Sequence, residues 1–203
     1  MDKITIIDYG LGNLGSIANM IKKVGGEFEF ANDTETIKKA KKILLPGVGA
    51  FDNGMGNIHR LGIRDILDKK VLEENTPILG ICLGMQLLGK GSEEGNLQGF
   101  GWISAVTKKF VLPKNYAIPH MGWNTVNQKK KSPIFEIYDP ETRFYFVHSY
   151  YMQCTDEQDI LFQTHYGIDF TSGVHHRNIF GVQFHPEKSH RFGKQLFSNF
   201  ISL

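Results

Sequence analysis

Cysteine is scarce in this 203-residue sequence, which holds only Cys82 and Cys154. A disulfide framework is therefore not expected, and a reducing, cytoplasmic setting is. Cysteines and histidines do not fall at zinc-ligand spacings, so neither a metal nor another cofactor is expected. Long apolar runs are also missing. The longest surrounds Cys82 and is too short to span a bilayer, so no membrane partner is expected. Charge of one sign is lacking too. The formal balance is +2, with 23 basic against 21 acidic side chains, which predicts no general affinity for nucleic acid or lipid surfaces. There is no internal repeat, low-complexity tract or linker, and the length suits one domain over residues 1–203. Met1 to Asp8 reads as a first strand and not as a signal peptide.

Glycine, at 22 residues, is plentiful. That suits a fold with many tight strand-to-helix turns. Lys3 to Asp8 reads as a strand, and Leu14, Ile17, Ala18, Ile21 and Val24 follow at helical spacing, stopped by Gly25 and Gly26. Phe28 to Ala31 is a second strand, and Asp33 or Thr34 caps a short helix through Lys39. Lys42 to Leu45 is a third strand, broken by Pro46. Asn57 to Glu74 is helical, with an interruption at Gly62. This alternation argues for a parallel sheet covered on both faces. Short strands dominate the second half: Trp102 to Val111, Thr125 to Asn127, Phe144 to Tyr151, Ile160 to Tyr166, Asp169 to Val174 and Ile179 to Phe184. Their short turns predict antiparallel pairing. Phe192, Leu196, Phe197, Phe200 and Ile201 fit one face of a closing helix. Lys129, Lys130 and Lys131 read as a solvated loop.

The chemistry centres on Ile78 to Leu88. Gly80-Ile81-Cys82-Leu83-Gly84 has the Gly-x-Cys-x-Gly layout of a nucleophile elbow, in which a buried strand ends and a helix begins at once. The glycines let the two backbones pass without Cβ clashes. The sulfur then sits beside unpaired N–H groups that favour negative charge, and the Leu83 amide is free to bind an oxyanion. A thiolate nucleophile needs a base, and the base an orienting group. In Gly181 to Lys188 a strand runs up to His185, Pro186 fixes a bend, and Glu187 can turn back onto the imidazole. Cys82 and His185 would both lie at the C-terminal ends of strands, where open α/β sheets bind ligands. His59, His165, His175, His176 and His190 read as structural or surface residues, and Cys154 as a strand-end residue. Pro46-Gly47-Val48-Gly49 is a loop whose peptides can rotate, and its Val48 amide could supply a second oxyanion donor.

Gly80 to Gln86 together with His185-Pro186-Glu187 resembles the class I, triad-type glutamine amidotransferases. Asp8 to Asn13, Pro46 to Phe51, Pro119 to Asn124, Tyr145 to Tyr150 and Gln183 to Ser189 narrow this to the glutaminase subunits of imidazole glycerol phosphate synthases. The resemblance spans nearly the whole chain. It implies a flavodoxin-like three-layer α/β sandwich, with a mostly parallel central sheet and an antiparallel portion in the C-terminal half. It further implies hydrolysis of L-glutamine to glutamate and ammonia. The ammonia would be channelled to a (β/α)8-barrel cyclase subunit, in a heterodimer, for histidine biosynthesis. Cys82 would attack the amide, His185 move the proton and Glu187 orient it, with Val48 and Leu83 forming the oxyanion hole. Gly47, Gly49, Gln86 and Glu94 would hold the glutamine, and the Ser149 and Tyr150 backbone would grip its α-carboxylate and amine. Asn13, His120, Trp123 and Lys188 match partner-facing positions. Gly99 to Ala105 and Ser189 to Gly193 fit less closely. The first lacks the Ile-Pro-Gly ending common in the histidine enzyme, and the second resembles as well the paralogues that feed a sugar-amidinating synthetase in surface-polysaccharide formation. A cysteine peptidase or γ-glutamyl hydrolase on the same scaffold, or a subunit that only binds, would be the rivals. The intact Cys82, His185 and Glu187 set and the absence of a lid-like segment argue against them.

Overall fold

The computed structural model describes residues 2–137, 139 and 141–203. The first half alternates as the sequence predicts: β1 Ile4–Ile7, α1 Leu14–Lys23, β2 Phe28–Ala31, α2 Thr34–Lys38, β3 Lys42–Gly47, α3 Phe51–Leu61, α4 Arg64–Asp68, β4 Ile78–Cys82 and α5 Leu83–Leu87. The second half carries β5 Gly91–Ser92, β6 Ala105–Lys109, β7 His120–Thr125, β8 Asn127–Gln128, β9 Arg143–His148, β10 Tyr150–Cys154, β11 Ile160–Tyr166, β12 Ile168–His176, β13 Ile179–Val182 and α6 His190–Ser202. The main sheet runs β2-β1-β3-β4-β13-β12-β10-β6-β5, with β11 on β12 and β8 on β11. Its first five strands are parallel. From β12 to β6 the pairing is antiparallel. A separate two-stranded ribbon joins β7 and β9.

Successive residues of the parallel strands point to opposite faces, and both faces are buried. Ile4, Ile6, Leu44, Leu79 and Ile81 meet Ile17 and Ile21 of α1 and Leu196 and Phe200 of α6. Ile7, Ile43, Leu45 and Ile78 meet Ile37, Met55, Ile58, Leu67 and Leu87 on the other side. This is the expected three-layer arrangement. A buried aliphatic side chain contributes roughly 1.5–3 kcal/mol. Five-residue helices such as α2 and α5 are too short to persist alone, so packing and not propensity holds them.

Several boundaries differ from the sequence reading. β3 does not break at Pro46 but runs on to Gly47, pairing Pro46 with Ile81 and Gly47 with Cys82. Its pairing with β1 ends at Leu44, so Pro46 lies past the ladder on that side and its missing N–H costs little there. α3 starts at Phe51, earlier than expected, because Gly54 and Gly56 mask the pattern. A Cβ on Gly54 would lie 3.2 Å from the Leu87 methyls, so the helix packs close at that glycine. Gly62, at φ 65°, ends α3. The strand expected from Trp102 begins only at Ala105, while the Trp102 indole donates to Asp68 Oδ1 at 2.7 Å. His120 to Thr125 is a strand that the sequence reading left out, its pattern interrupted by Gly122 at φ 129°. The stretch expected as one strand over Phe144 to Tyr151 is two, β9 and β10, in different sheets and separated at Ser149. The lysine run is not wholly solvated either. Lys130 Nζ donates to the carbonyls of Gln158 and His175, the latter at 2.6 Å, and burial lowers its pKa.

Candidate active site

Cys82 ends β4 and caps α5, at φ 55° and ψ −110°. A positive φ is costly for any residue with a Cβ, and a buried one persists only where its surroundings enforce it. Here the glycines do so. A Cβ on Gly84 would lie 1.8 Å from the Leu45 carbonyl oxygen, and one on Gly80 would lie 2.7 Å from the Gly84 carbonyl oxygen. The strand-to-helix turn is therefore closed against the neighbouring strand. Gly47, on that strand, would place a Cβ 2.2 Å from the Tyr9 hydroxyl and 3.0 Å from Leu83 Cβ.

His185 follows β13, the parallel neighbour of β4. Its backbone N–H donates to Tyr145 O at 2.8 Å, and Ser189 Oγ donates to its carbonyl at 2.6 Å. Pro186 opens a 3-10 turn that brings Glu187 back. Glu187 Oε1 lies 2.8 Å from His185 Nδ1, and the two side chains are 2% and 3% exposed. A carboxylate at Nδ1 fixes the proton there and leaves Nε2 as the working atom. Nε2 has no partner in hydrogen-bond geometry. Burial pulls this imidazole toward neutrality, yet the Cys82 sulfur and the Glu187 carboxylate outweigh it and raise its pKa to about 10. Electrostatically, the imidazole is a proton holder set between a sulfur and a carboxylate.

Cys82 and His185 open onto a cavity of about 480 Å³. Val48, Gly49, Leu83, Gln86, Glu94, Ser149 and Tyr150 also line it. Of the residues expected at the site, Glu187 stands behind His185 and Gly47 lies beneath the loop, so neither lines the cavity. Gly49 has φ 109°, a conformation that favours glycine. Glu94 Oε2 accepts from the Phe51 N–H at 2.9 Å, tying the cavity wall to the start of α3. Gln86 Nε2 is committed to Tyr150 O at 3.3 Å and Gln183 Oε1 at 3.0 Å. A larger crevice of about 660 Å³, lined by Trp123, Arg143 and His190 among others, holds no nucleophile.

Residues 5–203 match the family described as glutamine amidotransferase class-I. The chain belongs to the class-I glutamine amidotransferase family. It is 57% identical over 198 residues to imidazole glycerol phosphate synthase subunit HisH 2 of Methanococcus maripaludis, covering 98% of each chain. It is 48% identical to the subunit of the same name from Pseudomonas aeruginosa, covering 98% of this chain and 99% of that one. Among solved structures it resembles PurLQS from Thermotoga maritima, with a TM-score of 0.76 and 17% identity, covering 100% of this chain and 99% of that one. That likeness concerns the fold alone.

The rest of this amidotransferase chain both follows and departs from the sequence reading. Asn13 caps α1, accepting from the Ser16 N–H at 3.2 Å. Trp123 is 43% exposed and lies parallel to the His190 ring at 5.3 Å. Lys188 sits over the Tyr145 ring at 5.6 Å. His120 departs: it was expected on the partner face but is 2% exposed, stacked on Tyr166 at 4.0 Å and paired with His148 at 3.0 Å. It sits on the inward side of β7, whose outward neighbours Met121 and Trp123 are the exposed ones. Cys154 ends β10 outside the cavity, and burial pushes its thiol up to about 12. None of His59, His165, His175, His176 and His190 lines the cavity.

Sequence reasoning missed four wall residues, Ala50, Pro119, Val147 and His148. The signal for the last three lay in the Pro119 to Asn124 and Tyr145 to Tyr150 stretches, read only as motifs. It also missed Gln183 and Tyr9, both fully or nearly fully buried; the Tyr9 hydroxyl has no partner among the described residues and burial raises its pKa. Among the described residues no group of three or more His, Cys, Asp or Glu could hold a metal ion, and no helix is long and apolar enough to cross a membrane.

Proposed function

We propose that Cys82, His185 and Glu187 form the catalytic triad of a glutaminase subunit that supplies ammonia to a synthase partner. The observation that carries the reading is the buried His185–Glu187 pair facing Cys82 at an elbow that opens into one cavity. Cys82 Sγ attacks the side-chain carbonyl carbon of glutamine. The negative charge that forms on the carbonyl oxygen is met by the Leu83 and Val48 N–H groups. His185 Nε2, which has taken the thiol proton of Cys82, delivers it to the leaving nitrogen, ammonia departs, and a glutamyl thioester remains. Water then attacks the thioester, His185 takes a proton from that water, and glutamate leaves as the thiol reforms. Gly49, Gln86 and Glu94 hold the substrate, with the Ser149 and Tyr150 backbone at its amino-acid end.

The acceptor system is imidazole glycerol phosphate synthase of histidine biosynthesis, in the cytoplasm. The chain, a single amidotransferase domain over 1–203, pairs with a (β/α)8-barrel cyclase through the face bearing Asn13, Trp123 and Lys188. The identities of 57% and 48% to subunits of that name favour this pathway over the surface-sugar branch. The test is glutamate release and imidazole glycerol phosphate formation with the cyclase subunit from the same organism. Glutamine-dependent product is the expected result. A genuine cyclase that uses ammonium salt but gains nothing from this chain with glutamine would refute the pairing.

A further inference from the structure

Gln183 lies just past β13 and is fully buried. A buried amide must find partners at both ends. Its Oε1 accepts from Gln86 Nε2 at 3.0 Å, and its Nε2 donates to Cys82 Sγ at 3.7 Å. Gln86 Nε2 also donates to the Tyr150 carbonyl at 3.3 Å. The direction of this chain is forced. A carbonyl oxygen only accepts, so Gln86 must turn its NH2 toward Tyr150. The same NH2 meets Gln183, which must answer with its oxygen. The NH2 of Gln183 is then left facing the sulfur. Reversing either amide would set donor against donor or acceptor against acceptor in a buried place.

A second arm reaches the same carbonyl. His148 Nδ1 lies 2.7 Å from Tyr150 O, which fixes the proton on Nδ1. His148 Nε2 therefore accepts from His120 Nδ1 at 3.0 Å, and His120 Nε2 accepts from Asn124 Nδ2 at 3.3 Å. Burial keeps both rings neutral, with His148 lowered to about 3 and His120 to about 4. The Tyr150 carbonyl is thus gripped from two sides and serves as a fixed reference for the glutamine pair.

We propose that Gln183 is a positioning residue, whose Nε2–H steadies the Cys82 sulfur in its resting place and stabilises negative charge on it, with Gln86 and the Tyr150 carbonyl setting its orientation. The inference rests on the reading of Cys82 as the nucleophile. The elbow fixes the backbone of Cys82 but leaves the sulfur free to rotate about Cα–Cβ, and Gln183 meets it in one of those positions. The other groups that face or surround the sulfur are His185 with Glu187 behind it, the buried Tyr9 phenol, and Glu94 and His148 on the cavity walls. Gln183 is a neutral donor, so its removal leaves the His185–Glu187 pair in place.

The test uses the full chain with Cys154→Ala, so that Cys82 is the one thiol, and follows alkylation by iodoacetamide against pH. Gln183→Met removes the donor. Gln183→Glu keeps an acceptor for Gln86 and sets a carboxylate against the sulfur. The rate curve of Gln183→Met should move to higher pH by about one unit, with alkylation about tenfold slower on its acidic side, and that of Gln183→Glu further still. Unchanged curves in the folded variants would overturn the proposal. If neither variant folds, the Cys154→Ala chain decides. The side-chain amide proton resonance of Gln183 should shift through the alkylation midpoint and lose that shift in Cys82→Ala, and a resonance indifferent to pH in that range would also overturn it. Glutaminase activity of Cys82→Ala is a separate measurement. Its persistence would remove the nucleophile reading while the alkylation curves still report on the contact between Gln183 and the sulfur.

Discussion

Glu187 Oε1 stands 2.8 Å from His185 Nδ1, and hardly any of either side chain reaches solvent. A carboxylate so placed fixes one tautomer of the imidazole and stabilises the imidazolium. Cys82→Ala should therefore abolish glutamine hydrolysis, by on the order of 10³-fold or more, and His185→Ala should do nearly the same because the set acts as a unit. Glu187→Gln should lower kcat with less effect on KM. Cys154→Ala should match the parent. Glutamate release in the presence of the partner is the measurement, and a Cys82→Ala variant retaining most of its rate would contradict the assignment.

Gly84→Ala should not yield a stable chain. The added Cβ would lie 1.8 Å from a backbone oxygen of β3, and backbone cannot move aside as a flexible side chain can. A loss of about 4 kcal/mol or more is expected, read as insoluble expression or a collapsed urea midpoint. A soluble variant with an unchanged midpoint would mean that the elbow is less tightly closed.

The loop at Val48 and Gly49 predicts a slow enzyme when the chain is alone. In the proposed oxyanion hole the elbow fixes the Leu83 N–H, and the Val48 N–H is proposed to come into place only when its peptide rotates beside Gly49. A missing donor costs about 10²- to 10³-fold in rate. Partner plus acceptor analogue should restore that factor, mainly in kcat. Gly49→Ala, at φ 109°, should disturb this response and leave the fold intact. Equal kcat for the chain alone, with partner, and with partner and acceptor would refute the switch.

Acid should destabilise the chain through the buried histidine pair. An unfolded histidine takes up a proton near its ordinary value of 6.5, whereas burial keeps folded His120 neutral until about 4 and His148 until about 3. Between those values the unfolded state binds more protons, so stability falls as pH is lowered. His185 works the other way. Its raised pKa gives a contribution fully present below 6.5 and lost as pH rises through about 10. Melting temperatures should fall from pH 6.5 to 4.5, and less steeply in a folded His120→Gln variant. An identical slope would show that the pair does not govern it.

Trp123→Ala should weaken cyclase binding by on the order of 10- to 30-fold with little change in melting temperature. The indole is part-exposed beside Met121, which is 60% exposed. Titration calorimetry with the partner decides it, and unaltered affinity would move the docking face elsewhere.

The parallel half was legible because β1, β3 and β4 are short apolar runs that lead into glycine-containing turns. The elbow was legible because its steric demands admit few residues. The antiparallel half was read less well. Phe144 to Tyr151 is continuous in hydropathy, so nothing local reveals that Ser149 divides it between two sheets. His120 was expected on the partner face from the resemblance alone. Its burial depends on Tyr166 and His148, which only the fold brings near. Gln183 gave no local signal, being a polar residue in an apolar run whose partners, Gln86 and Cys82, lie far away in sequence.

β4 and β13 are hydrogen-bonded neighbours, with Val182 beside Ile81, although β4 belongs to the first half of the chain and β13 to its end. During synthesis on the ribosome Cys82 emerges long before His185. Pairing of distant segments is slow because the intervening chain must first be ordered. Until Glu187 has left the exit tunnel and β13 has docked, the nascent polypeptide has a thiol with no proton acceptor beside it. On the proposed triad, a chain still on the ribosome lacks the geometry to hydrolyse glutamine until β13 has paired with β4.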